Sequence, residues 1–296
     1  MLKKYLIIAL TLALVFPLIA QRNMDAVVIK PIQVTDNFYM LQGRGGNIGL
    51  FLGADGTLMI DDQFAPLAPK IMAVIDSLAD KRVTYLINTH WHGDHTGGNA
   101  AFATEGATIV AHHNVRERLS TDQIRPFGRT TEAAPKIAWP TLTYSENMQV
   151  HINGESVQLI HHHNAHTDGD SFVYFPSMNV LHMGDTFFRG RFPFVDVAMG
   201  GSPDGLIAAV EAALMISDED TKIVPGHGDL SSKQDLSDYM QMLKIMRDRV
   251  KRKISDNVAL EDIDNEAITN GYEEWGTGFI NAEKYVQMLY SYYTEE

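Results

Sequence analysis

Apolar and polar positions alternate along this chain in short blocks, and the period of each block predicts an element. "NIGLFLGADGTLMIDD" carries two apolar runs split by Gly53-Ala54-Asp55-Gly56, which predicts two strands joined by a hairpin turn. "APLAPKIMAVIDSLADK" places Ile71, Val74, Ile75 and Leu78 at helical spacing. "RVTYLINTH", "ATIVAHH", "SVQLIHHH", "DSFVYF" and "NVLHMGD" read as strands, "DGLIAAVEAALMI" as a helix, and "TKIVPGHG" as a strand ending in a tight turn. "SKQDLSDYMQMLKIMRDRVKRK" is a long amphipathic helix whose Leu236, Met240, Leu243, Met246 and Val250 form a core-facing side. Strand clusters separated by helices predict an α/β protein with two helix-covered sheets. No long linker, low-complexity tract or repeat interrupts the pattern.

The first twenty residues depart from it. A basic start (Lys3, Lys4), an apolar run from Tyr5 to Leu18 and the small residue Ala20 before Gln21 form the layout of a secretory signal. A retained anchor is the other reading, but the run is short and is interrupted by Thr11 and Pro17. The expected division is a signal over 1–20 and one folded domain over 21–296. The protein would then be exported, periplasmic or secreted, with no stable membrane association after cleavage. The full chain has 24 basic and 37 acidic side chains; losing Lys3 and Lys4 leaves 22 against 37, a formal charge of −15. Such a surface repels nucleic acid and acidic membranes, so a small molecule is the expected partner. With no cysteine, the fold cannot rely on disulfides, and a chain this long does not need them.

Candidate chemistry is concentrated in "LINTHWHGDHTGGN", where His90, His92, Asp94 and His95 fall within six positions after an apolar strand. Residues two apart in extended chain point the same way, so His90 and His92 make half of a tetrahedral zinc site. Gly93 allows a sharp turn, after which Asp94 and His95 leave in another direction and can begin a second site. Further ligands have to come from elsewhere. His166 in "NAHTDGDS", Asp185 in "NVLHMGD" and His227 in "IVPGHGD" each sit beside glycine, aspartate or threonine where a strand ends.

Taken together, "THWHGDHTGGN", "NAHTDGD", "MGDTFF" and "PGHGD" resemble, in order and spacing, the metallo-β-lactamase-fold hydrolases. The resemblance covers nearly all of the chain after the signal and implies a single-domain, four-layer α/β/β/α sandwich with a two-metal site along one edge. Carried over by position, it implies His90, His92 and His166 as ligands of a first zinc and Asp94, His95 and His227 as ligands of a second. Asp185 becomes the carboxylate bridging both. Three neutral imidazoles would leave the first zinc able to bring a water's pKa down to about 7. The hydroxide so formed would attack a carbonyl or phosphoryl centre, with Asp94 available to shuttle the proton. Iron or manganese suits the same donors.

The substrate is less legible. The bridging Asp185 is closer to the glyoxalase II and lactonase pattern, whereas export is more usual for β-lactamases. The leading expectation is therefore an exported β-lactamase-like hydrolase of cyclic amides or esters, with lactone or thioester hydrolysis as the alternative. A glutathione thioester would need a basic C-terminal pocket, and the tail after Gly271 offers only Lys284. A phosphodiesterase or nuclease also suits paired metals but lacks its basic stripe, and a metal-binding scaffold without activity is the bland alternative. For substrate contacts, Asn47 in "LQGRGGNIG" and Arg189 and Arg191 in "FFRGRFPFVD" are the candidates, the arginines for a carboxylate. Asp168 or Asp170 is expected to orient a ligand histidine. His112, His113, His151, His161, His162, His163 and His182 read as structural or solvent-facing, and Ser202 as a helix cap.

Overall fold

The structure is a computed structural model that describes residues 24–124 and 130–295; the expected signal over 1–20 lies outside them. Fourteen strands are assigned among the described residues. They are β1 (Lys30–Gln33), β2 (Phe38–Gln42), β3 (Ile48–Phe51), β4 (Thr57–Ile60), β5 (Val83–Asn88), β6 (Thr108–His112), β7 (Gln123–Ile124), β8 (Thr130–Thr131), β9 (Leu142–Tyr144), β10 (Asn147–Ile152), β11 (Glu155–His161), β12 (Ser171–Phe175), β13 (Val180–His182) and β14 (Lys222–Val224). They form a seven-stranded sheet in the order β1-β2-β3-β4-β5-β6-β9, a five-stranded sheet in the order β10-β11-β12-β13-β14, and a β7-β8 ribbon. Consecutive strands of the first sheet are antiparallel as far as β4, then parallel from β4 through β9, where helices make the crossovers. The second sheet is antiparallel except for its parallel β13–β14 pair, joined by the helix Pro203–Ile216.

Burial divides the molecule into four layers. Phe38, Phe51, Ile60 and Ile87 of the first sheet meet Val157, Leu159, Val173 and Phe175 of the second in a dry central core. On the outer face of the first sheet, Leu50, Met59 and Leu86 pack under Ile71 and Ile75 of the helix Ala68–Leu78. On the outer face of the second, Phe172, Leu181 and Ile223 pack under Leu206 and Val210 and under the long helix Lys233–Ser255. All five residues of that helix's apolar side are buried, as its spacing predicts. The result is the helix–sheet–sheet–helix sandwich expected from the sequence. At two places the structure departs from the sequence reading. His113 opens a helix (His113–Ser120) instead of ending a strand, capped by the His112 ring, and Gly93–Thr96 is one helical turn instead of loop.

Candidate metal centre

The functional side chains leave the sandwich along one edge. β5 ends at Asn88, and the extended residues that follow carry His90 and His92. The turn Gly93–Thr96 then winds Asp94 and His95 to a second position. His166 comes from the β11–β12 loop, Asp185 from a tight turn (Gly184–Thr186) after β13, and His227 from the loop after β14. They form two groups whose ligating atoms lie within 4.8 Å of one another: His90, His92, His166 and Asp185, all buried, and Asp94, His95 and His227. Asp185 divides its carboxylate between them. Its Oδ2 is 3.8 Å from His90 Nε2 and 3.6 Å from His166 Nε2, while its Oδ1 is 3.0 Å from His95 Nε2 and 3.3 Å from His227 Nε2.

Four of the five histidines are turned toward their group by an oxygen on the other side of the ring. Asp196 Oδ2 lies 2.9 Å from His92 Nε2, Asp61 Oδ2 is 2.7 Å from His95 Nδ1, and Thr89 Oγ1 is 3.1 Å from His90 Nδ1. His166 Nδ1 donates to the Phe194 carbonyl at 2.7 Å. With protons directed outward, His92 Nδ1 and His166 Nε2 point lone pairs at each other across 2.9 Å. His90 Nε2 is buried without a hydrogen-bond partner, and the buried His95 Nε2 and Asp185 Oδ1 meet only other members of the cluster. Orphaned polar atoms cost about 1–3 kcal/mol each, and these converge on two points. The donor set fits two divalent cations.

The electrostatics of the two groups differ. Burial, reinforced by the neighbouring His95, holds His90 well below the usual imidazole range, and burial lowers His166 to about 4. Both are neutral, as ligands must be. Burial would lower His95 as well, but Asp185, Asp61 and Asp94 push it well above that range, and Asp185 likewise lifts the buried His227 to about 9. The carboxylates that draw protons to these rings also draw a cation. Asp94 stays ionised, because His95 and His227 outweigh the effect of its burial.

Two glycines make the close packing possible. A Cβ on Gly46 would stand 2.0 Å from His95 Cε1, and one on Gly226 would stand 2.1 Å from Asp185 Oδ1. Gly46 of the "GRGGN" segment is therefore packed directly against the His95 ring, while Gly43 and Arg44 are exposed. Asn47 differs from its expected role as a substrate contact. It is buried, and its amide donates to Pro225 O at 2.9 Å and Gly228 O at 2.8 Å, which staples the His227 loop to β3. Arg189 is also held away from the cleft, by Asp235 at 2.9 Å and Asp229 at 3.8 Å, because the capped start of the long helix gathers acids there. Arg191 does line the cleft.

Neither Asp168 nor Asp170 faces a ligand ring: Asp168 pairs with Arg118, and Asp170 closes its own loop through Thr167. Asp61 and Asp196 orient the histidines instead. Asp61 was detectable, since "MIDDQF" ends an apolar strand in two acids, the signal that pointed to Asp185. It is fully buried at φ 59°, a left-handed conformation rarely taken outside glycine, with Thr89 bonded to both carboxylate oxygens. Nothing in the sequence around Asp196 distinguishes it.

The cleft above the two groups is about 430 Å³ and mainly apolar, walled by Phe64, Phe188, Phe192, Phe194, Phe279 and Ile280. Phe188 stacks on His227 with ring centroids 5.3 Å apart.

The profile of the metallo-beta-lactamase superfamily matches residues 41–227. A hydroxyacylglutathione hydrolase of Nitrosococcus oceani is 30% identical over 149 residues, 49% of this chain and 49% of that protein. The alpha subunit of 2,4-dinitroanisole O-demethylase of a Nocardioides species is 32% identical over 143 residues, 47% of this chain and 40% of that protein. The chain thus spans about half the length, or less, of these curated relatives. Among solved structures, a metallo-beta-lactamase from Pontibacter korlensis superposes with a TM-score of 0.60 at 15% identity, over 73% of this chain and 99% of that one. An inverting sec-alkylsulfatase from a Pseudomonas species reaches 0.64 at 14% identity, over 90% of this chain and 50% of that one.

Proposed function

The chain belongs to the metallo-beta-lactamase superfamily, and from that premise we propose that it is a two-metal hydrolase acting on the carbonyl of an apolar ester, thioester or lactone. The superfamily binds two metal ions and consists mostly of metallo-hydrolases. The observation that carries the reading is Asp185, with one oxygen turned to each ligand group. Two zinc ions held there would polarise the scissile carbonyl and supply a water nucleophile at neutral pH.

The protein's own residues do the rest. His90 and His166 are held neutral and, with His92, offer three ring nitrogens to the first position. Asp94, with 26% of its side chain exposed, is the ionised group that reaches the cleft floor and can take and return a proton. Phe64, Phe188 and Phe194 exclude water and favour an apolar acyl group. The acyl-hydrolase choice draws on the hydroxyacylglutathione hydrolase among the relatives. It shifts weight away from the cyclic amide that the export pattern suggests. Export itself is part of this proposal and rests on the pattern of residues 1–20.

The test is metal content together with turnover of an aryl ester, a thioester, a lactone, a β-lactam and a phosphodiester. About two equivalents of metal and cleavage of the acyl compounds are expected. Cleavage of the phosphodiester or the β-lactam alone would overturn the reading.

A further inference from the structure

The floor of the cleft comes from the residues that match the superfamily profile, but one wall does not. Phe279 and Ile280 line the cavity from a lip between the turn Glu273–Thr277 and the last helix, Ala282–Glu295, beyond the matched residues 41–227. The lip is fastened to the strand-end loop that follows Asp185. Phe192 N donates to Trp275 O at 3.0 Å, and the Phe192 ring lies 3.4 Å from where a Cβ on Gly276 would be. Arg191 Cδ lies 3.4 Å from the same point on Gly278, so the methylenes of Arg191 run along bare lip backbone. Lys284 holds the tip from outside, its Nζ 3.3 Å from Phe279 O and 5.0 Å from the ring centroid. Phe279 is nonetheless 80% exposed at the edge of a ligand-sized cavity.

Arg191 is the one arginine or lysine lining that cavity, and among the described residues no ion pair to an acid holds it. Arg189, two positions earlier, is held by Asp229 and Asp235. Arg191 also lines an adjoining groove with Arg44, Lys30 and Asp229, which meets the cavity at His227. In a chain of formal charge −13, an unpaired guanidinium beside an aromatic wall is where an anion gains most.

We propose that the lip and Arg191 form a subsite for an amphipathic acyl group: an apolar chain or ring lies on Phe279, Ile280, Phe192 and Phe194, and a carboxylate at its far end meets Arg191. This inference rests on the hydrolase reading for its reaction but not for its binding. Two matched pairs of compounds test it on the zinc-loaded protein. One pair is the p-nitrophenyl ester of carboxyphenyl-propanoic acid and its carboxamide counterpart. The other is the corresponding anilides, which serve as ligands in calorimetry.

The acid anilide should bind on the order of tenfold more tightly than the amide, the size of a hydrogen bond to a charged group. In R191A that ratio should fall to about one. F279A should weaken both anilides, on the order of tenfold, through lost apolar contact. Because Phe279 is exposed, the variant keeps its fold. Equal binding of the two anilides by the parent protein, or an R191A variant that keeps the anion's advantage, overturns the subsite. If neither ester is cleaved while the anilides keep the expected pattern, the subsite stands and the ester-hydrolase reading falls.

Discussion

The two ligand groups share Asp185 yet are built differently. In the first, His90, His92, His166 and Asp185 are all buried, and their imidazoles are neutral or oriented by Asp196, Thr89 and a backbone carbonyl. In the second, Asp94 and His227 reach the cleft, with 26% and 19% of their side chains exposed, and carboxylates surround His95. The first position is the more deeply buried and borders the cleft through His92 and Asp185, whereas the second is the more open to it. A site that must both hold a cation and admit a ligand can divide those tasks between two neighbours.

The largest expected effect comes from the closed group. His92→Ala removes a ring that has an oriented nitrogen on each side, and it should lose first-group metal together with activity. A fall in kcat/KM of more than about a thousandfold, about 4 kcal/mol of transition-state stabilisation, is expected alongside metal analysis. Full turnover with metal retained would contradict the assignment.

The orienting acids come next, and they separate the groups. Asp196→Asn should weaken metal at the first position and Asp61→Asn at the second, each about 10–100-fold, as measured by competition with a chromogenic chelator. If both variants weaken the same equivalent, the two groups are not independent. In the parent protein the open position should lose its cation to chelator before the closed one.

The smallest effect contrasts ligand histidines with a half-buried histidine outside both groups. His162 packs on Phe172 with ring centroids 3.8 Å apart, and burial lowers it to about 4. A histidine held neutral in the fold contributes stability above its unfolded value near 6.5, and that contribution is lost as pH falls toward 4. Melting temperature should therefore fall across that window, and His162→Leu should flatten the fall. An unchanged slope would assign the acid sensitivity to other groups.

Much of this was legible in the sequence, for a physical reason. Strand periodicity and glycine-flanked ligands are local signals, so β3 to β6, the long helix and the seven ligand candidates could be read from neighbouring residues alone. What escaped is non-local. Asp196 is 104 positions from His92, and only the folded chain sets its carboxylate behind that ring. Asn47 looked like a free polar residue in a glycine turn because its carbonyl partners lie 178 and 181 positions away. Arg189 and Arg191 are equivalent in sequence, and the acids at the start of the long helix distinguish them.

The central claim is that Asp185 stands between two cations. Anomalous diffraction at the zinc edge from zinc-loaded crystals tests it directly. Two peaks about 3.5–4 Å apart are predicted. One should lie about 2.0–2.2 Å from His90 Nε2, His92 Nδ1, His166 Nε2 and Asp185 Oδ2, and the other equally close to Asp94, His95, His227 and Asp185 Oδ1. A single peak, or two that leave either oxygen of Asp185 unligated, would contradict it.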